Sequence, residues 1–368
     1  MKAGITVQQL ATCVQAQIAA KRDLIVNTKN LHFEVGTDGV ITTVVEYAKE
    51  ANELKPREER FLPTELFLRQ VASRLEIPQK YFARMREDAP DLLAENLRHW
   101  CYNEPENRMV RTLTGTGDDW NVSRAFLSDK YKRLDNEDVI AQVLPALAQI
   151  PGLQILQCEL TETRMYIKAV TPKITGEVKK GDAVQAGVIL SNSEVGGGAL
   201  NVSPLVYRLV CLNGMILPDH RFRAFHVGKR ADGEEAVYEM LTDETRQADD
   251  KAILLKARDV ANGIFNQDYF NALLEPMRVA ADTLVPTARP DKAVEVLAKK
   301  IGMSEGEQIS VLTHLLQGGD LSVWGFANAV TRAAQDVESY DRSVQLEQVG
   351  GDLINLDKKD WSVIAQAA

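Results

Sequence analysis

Residues 191–230 read "SNSEVGGGALNVSPLVYRLVCLNGMILPDHRFRAFHVGKR", and this stretch decides the fold. Val188, Leu190, Leu200 and Val202, on either side of its glycines, suit the buried face of a sheet, and Asn201 and Ser203 suit the other face. The glycines between the runs therefore predict a hairpin loop, because glycine allows the backbone conformations of a tight turn. A phosphate-binding loop would need a lysine and a helix after the glycines, whereas a strand follows here.

A second hairpin is predicted just downstream, in the segment "VYRLVCLNGMIL". Its Asn213-Gly214 pair is typical of a type I′ turn, in which both central residues need positive φ. We therefore expect Asn213 and Gly214 to close a two-residue hairpin. Together the two hairpins favour an antiparallel sheet.

The rest of the chain extends this sheet upstream and adds helices downstream. Strand-like runs begin at about residue 107, and helical runs occupy the chain from about residue 242. The pattern predicts an α+β fold, mainly an antiparallel sheet with flanking helices, followed by a helical C-terminal part. We expect four segments, which are a helix and strand segment (1–60), an α+β core (61–241), a helical region (242–344) and a tail (345–368).

Composition narrows the class of protein. The chain has 368 residues and a formal net charge of -9, with 45% hydrophobic and 26% charged residues, which is typical of a soluble globular protein. We expect no membrane partner, because no apolar run is long enough to span a bilayer, and no signal peptide. Four widely spaced cysteines without a CxxC motif favour reduced thiols in the cytoplasm.

Two helical segments carry clear signals. From Thr64 onward, the pattern predicts a helix, a break at Ile77-Pro78 and a second helix, with Ala72, Ile77 and Phe82 facing inward. This spacing is that of a packed helical hairpin or of a DNA-reading helix-turn-helix, and both stay open.

A helix is also predicted from about Leu321 to Val337. Its apolar positions form one stripe, on which Val323, Phe326 and Val330 face inward.

Basic residues concentrate in two regions of this acidic chain, and we expect the second, from Arg221 to Arg230, to lie beside the first, around Arg124 and Lys132. Trp120 and Tyr131 lie among those of the first region, and basic groups with aromatic rings are what single-stranded nucleic acids bind, by phosphate neutralisation and base stacking. The predicted nucleic-acid-binding residues are Arg108, Arg111, Arg124, Lys130, Tyr131, Lys132, Arg133, Arg208, Arg221, Arg223, Lys229 and Arg230.

Structural explanations of the same residues stay open. Asp118, Asp119 and Asp129 could neutralise much of the first region, and Arg208, amid apolar neighbours on a strand, could form an ion pair. The second region could be a solvated loop.

Signals for catalysis are weak. The sequence has no nucleophile elbow and no HExxH motif, so we predict no catalytic residues, no metal site and no cofactor, and lean against an enzyme without deciding the question. His220 and His226 would share a face of a strand, but their spacing does not match that of known zinc sites.

Six motifs, in this order, carry a family resemblance: "IPQKYFARM", "SRAFLSDKYKRLDNEDVI", "GVILSNSEVGGGAL", "YRLVCLNGMI", "HVGKR" and "WGFANAVTRAAQD". Together they resemble the phage/plasmid-like protein family called domain of unknown function 932, over about residues 60–345. The resemblance implies a setting in phages, plasmids and other mobile elements, but no activity and no residue roles.

The residues and the resemblance together lead to one expected function. We expect a mobile-element protein that binds nucleic acid, with a preference for single-stranded DNA. It would bind or anneal such strands in DNA metabolism, defence or counter-defence. The architecture is loosely similar to that of the single-strand annealing proteins of phage recombination, and a homo-oligomer stays open. The alternatives are a metal-dependent nuclease that uses His220, His226 and nearby carboxylates, and a non-catalytic scaffold or inhibitor that binds a host protein.

Overall fold

The structure is a computed structural model that describes residues 1–37, 39–47, 57–115, 121–217, 221–224 and 242–366, with only the backbone for Tyr47, Arg57, Asp243 and Arg246. The fold is α+β, as predicted. The helices are α1 (Val7–Ala20), α2 (Glu65–Arg74), α3 (Gln79–Asp88), α4 (Pro90–Asn103), α5 (Asn136–Leu147), α6 (Asp243–Gly263), α7 (Gln267–Asp282), α8 (Pro290–Ile301), α9 (Glu305–Gly318), α10 (Val323–Ala333), α11 (Tyr340–Ile354) and α12 (Lys358–Gln366).

Twelve strands form two six-stranded sheets within the described residues. The strands are β1 (Lys21–Asn27), β2 (Leu31–Val35), β3 (Ile41–Tyr47), β4 (Arg57–Pro63), β5 (Asn107–Leu113), β6 (Asn121–Ser128), β7 (Gln154–Leu160), β8 (Met165–Glu177), β9 (Ala183–Asn192), β10 (Leu200–Arg208), β11 (Asn213–Ile216) and β12 (Phe222–Ala224).

The first sheet has the strand order β1-β5-β6-β4-β3-β2. All its neighbours are antiparallel except β4 and β6, which are parallel, and the chain between these two contains α2, α3, α4 and the strand β5. Phe61 and Phe126 of this sheet pack with Phe67 of α2 in one apolar core. Ala72 and Phe82 are buried in the same core and Ile77 is half-buried against it, as both the packed hairpin and the helix-turn-helix predict, so the choice between these two stays open.

The second sheet is antiparallel, in the order β11-β10-β9-β8-β7, and β12 pairs with β10. One face buries Val188, Leu190, Leu200 and Val202 in a core shared with α1, α5 and α6, as the alternation predicts. On the other face, Ile189 packs with residues of α11, and the part beyond α11 is open.

The C-terminal helices pack into the largest apolar core. Val323, Phe326 and Val330 are fully or almost fully buried, which confirms the inward face of the helix predicted from 321 to 337. The helix is shorter than predicted, Val323–Ala333, and it is buried on nearly all sides because it packs against both α9 and α11.

One predicted turn is wrong. Asn213 and Gly214 are paired residues of β11, opposite Arg208 and Tyr207, and residues 209–212 form a four-residue loop in which Leu212 has a φ of 53°. The physical reason is tertiary, because the buried Asn213 amide donates hydrogen bonds to Thr331 and Asn328 of α10. The predicted loop between β9 and β10 is present and contains the three glycines.

All four cysteines are free, as predicted. Burial raises the pKa of Cys101 to about 12 and, with the charge of Glu159, that of Cys158 to about 11, so these two thiols stay protonated at neutral pH. Among the described helices, none is sufficiently long and apolar to span a bilayer.

The four predicted segments stay a prediction. Two of their boundaries fall inside elements, after residue 60 within β4 and after residue 344 within α11. Residues 345–366 belong to α11 and α12, whose Leu353 and Trp361 lie in the C-terminal core.

Candidate functional site

Two arginines of the first basic region are buried in ion pairs. The Arg111 side chain has no exposed surface, and it contacts Asp23 at 2.9 Å and Asp135 at 2.8 Å. Arg124 lies 2.7 Å from Glu194 and is only 6% exposed. Because their charges are already matched, neither arginine is placed to neutralise an external phosphate.

The other basic side chains of this region are also paired with carboxylates or partly buried. Arg108 pairs with Glu106 at 2.8 Å, and Lys132 pairs with Asp249 and Asp250 of α6. Lys130 is half-buried. The first region is thus held largely by internal carboxylates, as the structural alternative proposed; Asp118 and Asp119 lie outside the described residues.

Tyr131 and Arg133 differ in exposure. The Tyr131 hydroxyl donates a hydrogen bond to the Ser193 carbonyl at 3.2 Å, and burial raises the pKa of Tyr131, so the phenol stays neutral. Arg133 is about half exposed and lies 3.6 Å from Asp23. Trp120 lies outside the described residues.

These buried charges form an ionic network between the two sheets. Asp23, Arg111 and Arg124 come from the first sheet, and Glu194 comes from the loop between β9 and β10 of the second. The Glu194 carboxylate also accepts the backbone N–H of Asn136, at the start of α5. Burial alone would raise the pKa of Asp135, but Arg111 and Lys21 outweigh it and lower that pKa to about 2.

Arg208 lies apart from the other predicted residues. It pairs with Asp182 at 2.5 Å. Arg208 is the last residue of β10, whereas Asn201 of the groove lies near the start of this strand, and Arg208 lines a separate small pocket with Lys179 and Arg332. This pairing is the structural explanation that the sequence left open for Arg208.

Arg221 and Arg223 do line a groove, on the open face of the second sheet. A row of paired residues crosses the groove floor, from Tyr166 through Ser191 and Asn201 to Arg223. Since strand residues two apart share a face, Arg221 and Arg223 lie on the same side of β12, and Phe222 packs into the core beneath.

Two helices form the groove walls. Leu66, Arg69, Gln70 and Ser73 line it from one face of α2, and α11 contributes the opposite wall. The cavity has a volume of about 760 Å³. We call this feature the arginine groove, because the described part of its lining contains five arginines and a single carboxylate: Arg69, Arg164, Arg221, Arg223 and Arg342, with Asp341.

The triglycine loop positions Arg164 at the end of the groove. The Arg164 guanidinium donates to the Gly197 carbonyl at 2.7 Å. A Cβ atom on Gly198 would lie 1.6 Å from Nη2 of Arg164, so only glycine leaves room for the guanidinium. Gly196 has a φ of 77°, which favours glycine independently.

The arginines of the groove differ in how they are held. Arg342 pairs with Glu307 at 2.6 Å, and Arg164 is bound only through the neutral carbonyl, so it keeps an unmatched charge. Among the described residues, no carboxylate pairs with Arg69 or Arg221. The groove therefore offers unmatched positive charge to an anion.

Sequence reasoning found part of this site. It found Arg221 and Arg223 but missed Arg69 and Arg164. A signal for Arg69 existed, because Arg69, Gln70 and Ser73 lie on one polar face of α2, although nothing in the sequence placed that face beside β12. Lys229 and Arg230 lie outside the described residues.

The described part of the chain contains no group of three or more His, Cys, Asp or Glu residues placed to hold a metal ion. His220 and His226 lie outside the described residues, so the predicted metal-nuclease alternative stays a prediction.

Comparison with known proteins gives one match. The model of a family described as "Domain of unknown function (DUF932)" matches residues 125–350. No curated protein and no solved structure matches the chain. The matched range contains the ionic network residues Asp135 and Glu194, the triglycine loop and most of the arginine groove, whereas Arg69 lies before it.

Proposed function

The chain belongs to the DUF932 family, whose description names no activity, and from the groove itself we propose that the protein binds nucleic acid, a single strand in preference to a duplex. The observation that carries the proposal is the concentration of five arginines with one carboxylate in a single groove of a chain with net charge -9.

Arginine is the side chain best suited to this ligand. Its planar guanidinium binds phosphate oxygens through two parallel hydrogen bonds and keeps its charge at any physiological pH. Arg69 and Arg221 approach the groove from different elements, and Arg164 is fixed by the triglycine loop. Phosphates of one strand could therefore be bound at several points, which sets the direction of the backbone.

The shape of the groove favours a single strand. Its volume of about 760 Å³ is in the range of sites that enclose small molecules, about 300–1,000 Å³, so it suits one or two nucleotides. The floor offers hydroxyl and amide groups on Ser191, Asn201 and Ser203. Bases reach such groups only when they are unpaired, because duplex bases present only their groove edges.

Base stacking is not part of this proposal. The predicted Tyr131 bonds to the backbone of Ser193, and the one aromatic residue in the lining, Tyr166, is 3% exposed. Affinity should therefore come mainly from phosphate contacts and fall with salt.

The test compares two variants with the same change of charge. Arg69, Arg164 and Arg221 are replaced together by alanine in one variant, and the exposed Arg84, Arg98 and Arg258 in the control. Binding of 15-nucleotide single strands of DNA and RNA and of a matched duplex is measured by fluorescence anisotropy against salt concentration.

We expect the single strand to bind more tightly than the duplex. The groove variant should bind weakly, and the slope of log affinity against log salt should decrease in magnitude by about 2 for three lost contacts on a single strand. The control should bind as the unaltered protein does. Equal losses in both variants, or no loss in either, would contradict the proposal.

The helical C-terminal part gives an observation that favours the scaffold alternative. Leu284 and Val279 are 72% and 64% exposed in the lining of a second cavity of about 790 Å³, most of whose residues are apolar and come from α7, α12 and the segments next to these helices. Exposed apolar surface of this kind occurs at protein interfaces. If the groove variant binds nucleic acid normally, this surface becomes the leading candidate.

The finer expectations belong to the same proposal. A role in phage or plasmid DNA metabolism, defence or counter-defence, a cytoplasmic location and a homo-oligomer would all accord with single-strand binding. Light scattering of the protein with and without oligonucleotide measures the assembly directly.

A further inference from the structure

We propose that the protein binds a second copy of itself through the loop between β10 and β11, whose apolar side chains enter the cavity beside α7 and α12 of the other copy. The inference goes beyond the proposed function, because it involves no nucleic acid and is tested without one. It assigns the cavity to the same chain rather than to a host protein.

The loop between β10 and β11 exposes apolar side chains. Leu209, Val210 and Leu212 are 39%, 60% and 55% exposed, and we call these three residues the apolar tip. Leu212 also has a φ of 53°, a left-handed backbone conformation that is unfavourable for a residue with a Cβ atom. Packing within the chain does not offset this cost, because more than half of the Leu212 side chain lies in solvent.

Hydrogen bonds hold the apolar tip in place. The backbone N–H of Leu209 donates to the Ala183 carbonyl at 3.0 Å, and Arg332 of α10 donates to the Cys211 carbonyl at 3.0 Å. The tip is therefore ordered before any partner arrives. Association then avoids most of the entropy loss that ordering a mobile loop would cause.

The cavity beside α7 and α12 is the complementary apolar feature. Its volume of about 790 Å³ is in the range of sites that enclose a whole small molecule, about 300–1,000 Å³, so three aliphatic side chains fit. Leu284 and Val279 leave apolar surface exposed in its lining. Insertion of the apolar tip would remove both apolar surfaces from water, which favours association.

The charges around the two features are also complementary. Among the described residues, Arg332 donates only to neutral oxygens, and Lys180, in the turn before β9, forms no ion pair. The described lining of the cavity contains the carboxylates of Asp282 and Asp357 against the single ammonium group of Lys358. Unmatched positive charge beside the tip thus meets net negative charge at the cavity, which favours tip-to-cavity contact over contact between two tips.

The apolar tip and the cavity lie at opposite ends of α10. Val323 begins this helix and lines the cavity, and Arg332, close to its end, bonds to the tip. The rise from Val323 to Arg332 is about 14 Å along the helix axis. One copy can therefore give its tip to one neighbour and its cavity to another. Because the two surfaces differ, repetition of the contact gives a closed ring or an open filament.

The experiment measures assembly by sedimentation velocity over a range of protein concentrations, without nucleic acid. Val210→Asp alters the apolar tip, and Leu284→Asp alters the cavity. The control is Leu92→Asp on α4, since Leu92 is 59% exposed and belongs to neither surface. All three side chains are largely exposed, so the variants should fold as the unaltered protein does, and circular dichroism checks this.

We expect the unaltered protein to assemble as its concentration rises. Val210→Asp and Leu284→Asp should each raise the concentration needed for half-assembly by about tenfold or more, because a carboxylate would be buried among apolar groups at the contact. Leu92→Asp should assemble as the unaltered protein does.

A mixture of the two variants tests the pairing of tip with cavity directly. The Val210→Asp protein keeps an intact cavity, and the Leu284→Asp protein keeps an intact tip. An equal mixture should therefore form complexes of two copies at concentrations at which each variant alone is a monomer.

Three results would overturn the inference. The first is an unaltered protein that stays a monomer at every concentration, which would leave the cavity for a different protein. The second is assembly that survives both substitutions. The third is a mixture that stays monomeric although the unaltered protein assembles. Nucleic-acid binding by the arginine groove is measured separately and does not depend on any of them.

Discussion

At the scale of single residues, the absence of a side chain at Gly198 leaves the space in which the Arg164 guanidinium lies. In Gly198→Ala, the new methyl group would occupy the place of the Arg164 guanidinium and move it away from the Gly197 carbonyl. Since the displaced atoms are the end of a flexible side chain, we expect a stability change of about 0.5 kcal/mol or less. Binding of a single strand should weaken several-fold, as measured by anisotropy.

The control for this prediction is Gly306→Ala. A Cβ atom there would meet nothing within 4 Å, so neither binding nor stability should fall. If Gly198→Ala bound as tightly as the unaltered protein, the proposed placement of Arg164 in the binding surface would be wrong.

Sequence reasoning at this scale identified residue types better than it identified their neighbours. Arg221 and Arg223 were found because they belong to a local concentration of basic residues in the sequence. Arg111 and Arg124 were included for the same reason, yet Asp23 and Glu194 reach them from distant parts of the chain. A local count of charges cannot show such a partner.

At the scale of an element, the packing of helix α10 predicts how much stability is lost when one buried ring is removed. The Phe326 ring has no exposed surface and packs edge-on against Trp361 of α12, with 5.7 Å between ring centres. Phe326→Ala should lower the free energy of unfolding by about 3–5 kcal/mol, because the lost contacts leave a cavity in the core.

Urea unfolding monitored by circular dichroism measures this change. Leu316→Ala on α9 is the control, since Leu316 is 60% exposed, and it should cost much less. A small effect of Phe326→Ala would mean that the C-terminal core can repack around the missing ring.

The hairpin of β10 and β11 shows why strands are predicted well from the sequence and the turn between them less well. The strands around it were correctly anticipated from alternation, which is a property of many residues together. The turn depended on Asn213-Gly214 alone, and a buried hydrogen bond to Thr331 outweighed the local preference of that pair. The exposed loop therefore falls on residues 209–212.

At the scale of the whole molecule, the ionic network predicts a response to acid. The pKa of Asp135 is about 2 in the folded protein, below that of an unfolded aspartate at about 3.9. Because the folded pKa is the lower one, this carboxylate contributes stability above about pH 4. That contribution is lost as the pH falls from about 4 to about 2.

Asp135→Asn tests this contribution. We expect the variant to be less stable at pH 7 by about 2 kcal/mol and to lose less stability between pH 4 and pH 2 than the unaltered protein. Thermal unfolding across this pH range measures both. Parallel stability curves for the two proteins would show that Asp135 does not couple the network to pH.

The fold class was readable from the sequence, but the association of the two sheets was not. Alternating strands followed by helices indicate α+β directly. The parallel pairing of β4 with β6 joins strands that are separated by three helices and by β5, and the arginine groove exists only where α2, which packs on the first sheet, meets β12 of the second. Such contacts depend on packing between segments far apart in the sequence.

The antiparallel pairing of β1 with β5 has a consequence for how the chain acquires its structure. Lys21 pairs with Leu113, and Ile5 pairs with Cys158 even farther along. During synthesis, Lys21 and Ile5 must therefore wait until these later residues have been made before they find their partners. Chains with so many non-local contacts pass their folding barrier in about milliseconds to seconds, rather than microseconds. During synthesis, β1 has no strand partner until β5 has been made, and a chaperone that shields its central Leu24, Ile25 and Val26 would raise the yield of native protein.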